Sequence, residues 1–489
     1  MTSATLTYHG RLPGVDADAA LPAAPQPLRL DVAGFVGFAE AGPFDTPVVV
    51  EDPTQYAAVF GGDLALAQEA GQPVWARLPT AVRAFFDNGG RRCYVVRVGE
   101  DLSTFPINVF VDPALADATV FSLLPLADRL TSLAHSPAQL RGIHALLGMD
   151  EVALIAVPDA AHRDWSASTA TPDPVVPPEP PPPEPVDWSD FRCCQEPEPV
   201  PPPTPESPEP TPYAGLPELE PVAAYDESAL IDLQVAVVTM CAARADQVAL
   251  LSLPQHYDVP AVLAWREALC TDPRIIDSTS SASPPLGYAG LWHPWVSVSS
   301  GTSDGVAVLR DLPPDGVAAG AIAARELSRG VWVAPAGTAL RGLLRTVSTL
   351  THDEQVALFD AHANLVVHPP GTFSMLSAHT LTDEPTLLQV SERRLLILLR
   401  KLALQAGHRY VFEVDNDRFR RLVRMRFDQI LGALVQRGAL AAYQIVVDAS
   451  GQDDGRLVVQ LQVAPTSPVE FITITLVRSG EGLLDVLEG

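Results

Sequence analysis

A tract that cannot fold sets the terms for the rest of this chain. Between Pro172 and Pro221 lie 20 of its 48 prolines, with 11 Asp or Glu and a single base, Arg192. Proline fixes φ and lacks an amide donor, and like charges at this density repel one another. The tract is therefore expected to be extended, solvated and stiffly disordered. Its neighbours differ sharply: an apolar strand, Val152 to Val157, runs into it, and the helix SALIDLQVAVVTMCAAR resumes at Ser228. The tract reads as an insertion in a βα loop, where added length costs little.

The 489 residues exceed one ordinary core. Leu30 opens a buried strand, LDVAGFVGFAEAGP, and TPVVVED a second. Asp52 and Pro53 then start the helix PTQYAAVFGG, stopped by Gly61 and Gly62. A helix over Thr80 to Asn88, the strand RRCYVVRVGE and a helix over Pro137 to Leu147 follow. After the insertion come the strand QVALLSLP, a helix from Val259 to Cys270, and GYAGLWHPWVSVSS as another strand. A helix over Glu392 to Gln405, the strand HRYVFEV and a helix over Asn416 to Arg437 lead to the closing strands. Strand and helix alternate, so the expected class is mixed α/β.

Composition excludes several functions. A net charge of −27 argues against a nucleic-acid surface, which needs a basic face. No apolar run reaches the ~18 residues of a membrane span. The N-terminus shows no basic segment followed by an apolar one, which predicts folding in the cytoplasm. Cys93, Cys193, Cys194, Cys241 and Cys270 form no metal spacing.

Candidate chemistry is sparse. Gly301 to Gly305 matches G-x-S-x-G, but a nucleophile elbow needs a helix directly after Ser303, and the β-prone VAVLRDLPPDG follows instead. A polar loop is the simpler reading; a cytoplasmic serine hydrolase using Ser303 is the alternative. Thr351 and Glu354 form a capping box that accounts for the His352-Asp353-Glu354 run. His362 and His368 are isolated. No catalytic residue, cofactor or metal is assigned, and the chain is not expected to be an enzyme.

Two features remain. Near the C-terminus a strand from Leu457 to Val463 meets Pro465 and Pro468, and a second strand, Glu470 to Val477, follows. Within it Phe471, Thr473, Thr475 and Val477 face one way, Ile472, Ile474 and Leu476 the other. It is either an edge strand of its own domain or a strand that pairs elsewhere. The β-prone Ala4 to Tyr8, including Leu6, poses the same choice at the other end. On the helix from Asn416 to Arg437, Phe419, Leu422, Val423, Phe427, Ile430 and Leu434 form an apolar stripe. Arg418, Arg420, Arg421 and Arg424 project oppositely: a docking face for an acidic partner, or a solvated helix face.

Several blocks resemble the contractile tail sheath proteins of phages and of extracellular contractile injection systems. They are GFVGFAEAGPFDTPVVVEDPTQYAAVFGG, LPTAVRAFFDNGGRRCYVVRV, LPPDGVAAGAIAARELSRGVWVAPAG, and a C-terminal run from SAHTL through RRLLILLRKLALQAGHRYVFEVDNDRFRRLVRMRFDQILGALVQRGAL to GRLVVQLQVAPTSPVEFITITLV. They occur in family order and span most of the chain outside 1–28 and 160–227. The resemblance implies an inner α+β strand-exchange domain and an outer α/β domain carrying the disordered insertion. The corresponding segments are an N-terminal linking arm (1–28), an outer domain (29–159 and 228–350) split by the insertion (160–227), an inner core (351–464) and a C-terminal linking strand (465–489).

The resemblance further implies a homo-oligomer of stacked hexameric rings around an inner tube protein, bounded by baseplate and terminal cap proteins, assembled in the cytoplasm. Nucleic acid, membrane insertion and nucleotide have no part in it. Ala4, Leu6, Tyr8, Phe471, Ile472, Ile474 and Leu476 would link subunits, Pro465 and Pro468 would act as a hinge, and Arg418, Arg420, Arg421 and Arg424 would meet the tube. A non-contractile structural protein is a further alternative.

Overall fold

Continuous apolar runs such as AGFVG and VALL fit strands covered on both faces, and they lie side by side in a nine-stranded sheet. The computed structural model describes residues 28–123, 140–166, 213, 215–276, 284–303, 306–407, 410, 416–448, 457–468, 474–478 and 484–488. The chain divides into a larger unit, Asp31–Arg393 with Ser467–Gly489, and a smaller one, Met1–Leu30 with Arg394–Thr466.

The larger unit begins with β1 (Ala33–Gly37), β2 (Val48–Val50), α1 (Pro53–Phe60), β3 (Ala65–Glu69), β4 (Gln72–Trp75), α2 (Leu78–Asp87) and β5 (Cys93–Arg97). After β6 (Leu154–Ala156) come the short strands β7 (Trp165–Ser166) and β8 (Glu218–Leu219). Next are α3 (Glu227–Arg244), β9 (Val248–Leu251), α4 (Val259–Cys270), β10 (Ala289–His293), β11 (Val296–Ser303), β12 (Val306–Leu312) and α5 (Asp315–Arg329). β13 (Ala339–Leu340), β14 (Leu343–Thr346), α6 (His352–Asp360), β15 (Ala363–Val367) and β16 (Phe373–Met375) follow. The sheet order is β13-β16-β15-β10-β9-β6-β1-β5-β2. The strands from β15 to β5 run parallel, and β2 and β16 pair antiparallel at the two sides.

Local signals explain much of this. Asp52 caps α1 by accepting from the Gln55 amide at 2.8 Å, and Asp258 caps α4 from Ala261 at 3.0 Å. α2 and α5 lie close because α5 has glycine at the crossing: a Cβ at Gly320 would stand 2.4 Å from the Phe85 carbonyl oxygen. The fully buried Asp159 carboxylate accepts from the Phe38, Arg77 and Leu78 amides at 2.8, 2.6 and 3.2 Å, and its other neighbour is His162 at 3.0 Å. It thereby fixes the exit of β1 to the start of α2.

The structure departs from the sequence reading at four places. Within the expected helix over Pro137 to Leu147, residues 137–139 lie outside the described part, and Ile143–Gly148 is a 3-10 turn. Gly142, at φ 57°, interrupts the α conformation there, and a Cβ on it would meet the Phe110 carbonyl at 2.1 Å. The stretch GYAGLWHPWVSVSS makes two strands, β10 and β11, divided where Pro294 has no ladder donor. The flanks of the insertion are ordered: Ser166 pairs with Glu218, and β4-β3-β8-β7 form a sheet. The tract between them, 167–212, lies outside the described residues. Finally, the units divide at Arg393/Arg394 and not at 350/351, because β15 and β16 belong to the nine-stranded sheet.

The helix α7 (Val390–Gly407) crosses that division. In the smaller unit follow α8 (Asp417–Gln436), β17 (Leu440–Asp448) and β18 (Val458–Pro465); β19 (Ile474–Arg478) and β20 (Leu484–Glu488) belong to the larger unit. β17 and β18 form an antiparallel ladder, as do β19 and β20.

Candidate functional site

The smaller unit carries the residues that the sequence singles out, on α8 and the β17–β18 ladder. Asn416 starts α8 by accepting from the Phe419 amide at 3.0 Å, and Gly438, at φ 73°, turns the chain into β17. Val423, Phe427, Leu431 and Leu434 recur at helical spacing and are buried, and α8 packs on β17. Along β18 exposure alternates strictly: Val458, Gln460, Gln462 and Ala464 are exposed, and Val459, Leu461, Val463 and Pro465 half-buried. Two strands make the whole sheet, so each outer edge has no strand partner among the described residues.

The arginines do not act as one group. Arg418 and Arg421 are exposed and have no ion-pair partner among the described residues. Arg420 is half-buried, 3.8 Å from Asp417, and the Arg424 guanidinium donates to the Ile445 carbonyl at 3.2 Å. The opposite-face reading thus holds for Arg418 and Arg421, whereas Arg420 is half-buried and Arg424 reaches back to β17. Leu422 also departs from its expected place in the buried stripe: it is 47% exposed, next to Met425 at 59%. The sequence reading overlooked Met425 and the exposed Arg426, which complete a cationic face with an apolar centre. Asp428 tempers the charge and accepts from the Tyr443 hydroxyl at 2.7 Å. That hydrogen bond raises the Tyr443 pKa.

Of the expected linking residues, Ala4, Leu6, Tyr8, Phe471 and Ile472 lie outside the described part. Ile474 and Leu476 lie in β19, paired with Glu488 and Val486 of β20. The described part of the expected strand, from Ile474 on, therefore has a hairpin partner in the tail. Pro465 ends β18 opposite Leu440, beside a register shift, and the two units part between Thr466 and Ser467, which lie between the two prolines.

Among the described residues no catalytic constellation accompanies them. Ser303 ends β11 and pairs with Val306 of β12, so a β-hairpin stands where an elbow needs a helix. Thr351 and Glu354 form the expected capping box at α6. His362 lies 3.6 Å from Asp383, and His368 stacks on Phe373 with ring centroids 4.2 Å apart. Among the described residues no three His, Cys, Asp or Glu gather as a metal site, and no helix is long and apolar enough to cross a membrane. Burial pushes the Cys241 and Cys93 thiols up and the His144 and His293 imidazoles down to about 4, directions that favour uncharged core groups.

The sequence model of the phage tail sheath C-terminal domain matches residues 382–478. The tail sheath protein of Vibrio phage KVP40 is 25% identical over 180 residues, 35% of this chain and 27% of that relative. The match thus spans about a quarter of the curated relative's length. Among solved structures, a chain of the sheath complex of an extracellular contractile injection system in its contracted state superposes with a TM-score of 0.56 at 18% identity. That superposition covers 97% of this chain and 99% of the other. A chain of the contracted anti-feeding prophage baseplate reaches 0.61 at 19% identity, covering 96% and 99%. A mixed α/β fold of this class, with that C-terminal domain, is a tail sheath fold. Residues 382–478 thus match the phage tail sheath C-terminal domain, and the chain as a whole is similar to tail sheath proteins in fold.

Proposed function

We propose that this chain is the repeating structural subunit of a contractile sheath, in a phage tail or a phage-tail-like particle. The observation that carries the reading is the near end-to-end likeness to a contracted sheath chain, combined with a two-stranded ladder whose outer edges have no strand partner among the described residues. Subunits form hexameric rings stacked helically around an inner tube, between a baseplate and a terminal cap, and the particle assembles in the cytoplasm. The free edges of β17–β18 accept strands from neighbours: the arm around Ala4 to Tyr8 and the C-terminal strand through Ile474 and Leu476. This is β-augmentation between chains, and head-to-tail repetition makes an open helical array.

Contraction on this reading draws its free energy from new contacts between subunits and consumes no nucleotide. The smaller unit faces the tube, with Arg418, Arg421 and Arg426 around Leu422 and Met425 as the contact. The larger unit and its acidic insertion face outward. The strand linkages hold while the units swing about the stretch from Pro465 to Pro468.

Two experiments test this. Deleting Glu470 to Val477 is expected to leave soluble protein that builds no tubes under the electron microscope; long sheaths from the truncated chain would refute the linking role. Changing Arg418, Arg421 and Arg426 to Glu should give sheaths without an inner tube, and tube-filled particles would refute the tube contact.

A further inference from the structure

Open α/β sheets take their ligands at a topological switch point, in the crevice beyond the carboxyl ends of two neighbouring strands whose connections leave in opposite directions. In the larger unit that point lies between β1 and β6, which pair in parallel. The next parallel strand after β1, β5, lies on one side of the pair, and the next after β6, β9, on the other. Just beyond the two strand ends stand Phe38 and, three residues past Ala156, Asp159.

The Asp159 carboxylate fills this crevice and is 0% exposed. One of its oxygens accepts from the Phe38 and Leu78 amides at 2.8 and 3.2 Å. The other accepts from the Arg77 amide at 2.6 Å and lies 3.0 Å from Nε2 of the buried His162. Arg77 and Leu78 open α2, so the positive end of a helix dipole faces the same group. Gly37 ends β1 without a side chain, and a Cβ there would collide with the Asp159 carboxylate and with Leu78. The backbone is thus cut back where the anion sits, as it is wherever a main chain must approach a phosphate closely. Beside the cradle lies a cavity of about 360 Å3 with Arg77, Ala161, His162 and Trp295 in its walls. A small solute in that cavity stands one side chain away from the carboxylate.

We propose that this cradle is a carboxylate-binding site of the α/β unit, filled by the chain's own Asp159. The side chain stands where the oxyanion of a free ligand would stand. Because it is tethered, it outcompetes any solute, and a phosphate or nucleotide finds no open donors at the switch point. This goes beyond the sheath reading and deepens one part of it, contraction without nucleotide. The rescue described next can fail while sheaths still assemble and contract, so the two are tested apart.

The test uses the full-length protein, with formate as the probe and the midpoint of urea denaturation read by tryptophan fluorescence. Asp159→Gly, which empties the cradle, should lower the midpoint. Formate should restore much of that loss saturably, while chloride at equal ionic strength restores none. Asp159→Asn also loses stability but keeps the cradle full, so formate should not help it. Adding Gly37→Ala to Asp159→Gly should abolish the rescue. The wild type should respond to formate and to inorganic phosphate no more than to chloride. Equal effects of formate and chloride on Asp159→Gly would overturn the proposal, as would a rescue of Asp159→Asn matching that of Asp159→Gly. A saturable formate or phosphate shift in the wild type would show the cradle to be open and would overturn it too. If Asp159→Gly does not stay folded, the same comparisons are read as refolding yield in formate against chloride.

Discussion

The nine-stranded sheet of the larger unit and the two-stranded ladder of the smaller one are both apolar β-structure, but they are completed differently. From β15 to β5 every strand has a neighbour on each side, and Phe35, Leu154, Leu291 and Leu365 are at most 1% exposed. In the ladder every second residue of β18 is exposed, and both outer edges lack strands among the described residues. A two-stranded ladder covers little surface and is marginal alone. The larger unit carries its own core; the smaller one has, among the described residues, two strand edges without a strand partner, which on the proposed reading take strands from neighbours.

The contrast can be broken by experiment, and the chain supplies a selective probe. All seven tryptophans lie outside Met1–Leu30 and Arg394–Thr466, so tryptophan fluorescence reads the larger unit alone. Leu365→Ala removes a fully buried side chain and should cost roughly 3–5 kcal/mol in fluorescence-detected denaturation. Asp159→Ala leaves buried donors without their acceptor and should cost roughly 2–4 kcal/mol by the same measure. Leu461→Ala, the matching truncation in the ladder, should cost about 1 kcal/mol by circular dichroism and leave the fluorescence midpoint in place. A fluorescence shift from Leu461→Ala as large as that from Leu365→Ala would erase the distinction.

A smaller effect sharpens it through pH. Burial raises the Asp315 carboxyl from 3.8 to about 8, so the folded chain keeps a proton that the unfolded chain releases. This contribution is fully present below pH ~4 and is lost as pH rises through about 8. Asp315→Asn should therefore gain on the wild type as pH increases over that window, measured as the difference in fluorescence midpoints. A constant difference would show that Asp315 does not titrate in this range. The smallest effect is expected from Tyr443→Phe, which removes an exposed hydrogen bond to Asp428 and should change stability by less than about 0.5 kcal/mol in circular dichroism.

What could be read from the sequence followed the range of the interaction. Caps are contacts three residues long, so Asp52, Thr351 and the start of α8 were legible. The βαβ succession was legible because its apolar runs are local. The place of β15 was not, since its partner β10 lies about 70 residues earlier. The facing of Arg420 and Arg424 was not either: all four arginines lie within seven residues, and only packing on β17 sets which side of the helix is inward. That same phase exposes Leu422 and Met425, which composition alone would send to the core. The strand at the C-terminus was legible, but its hairpin partner Leu484–Glu488 was too short and too loosely patterned to announce itself.

The clasp formed by β7 and β8 has a consequence for how such a chain can change over time. Ser166 and Glu218 face each other across one strand spacing, about 4.8 Å. Whatever lies between them leaves and re-enters the fold at one fixed doorway, and doubling its length costs only about 0.6 kcal/mol of closure entropy. The position is therefore a socket. One tract can be exchanged for another, longer or shorter, without disturbing the register of the nine-stranded sheet.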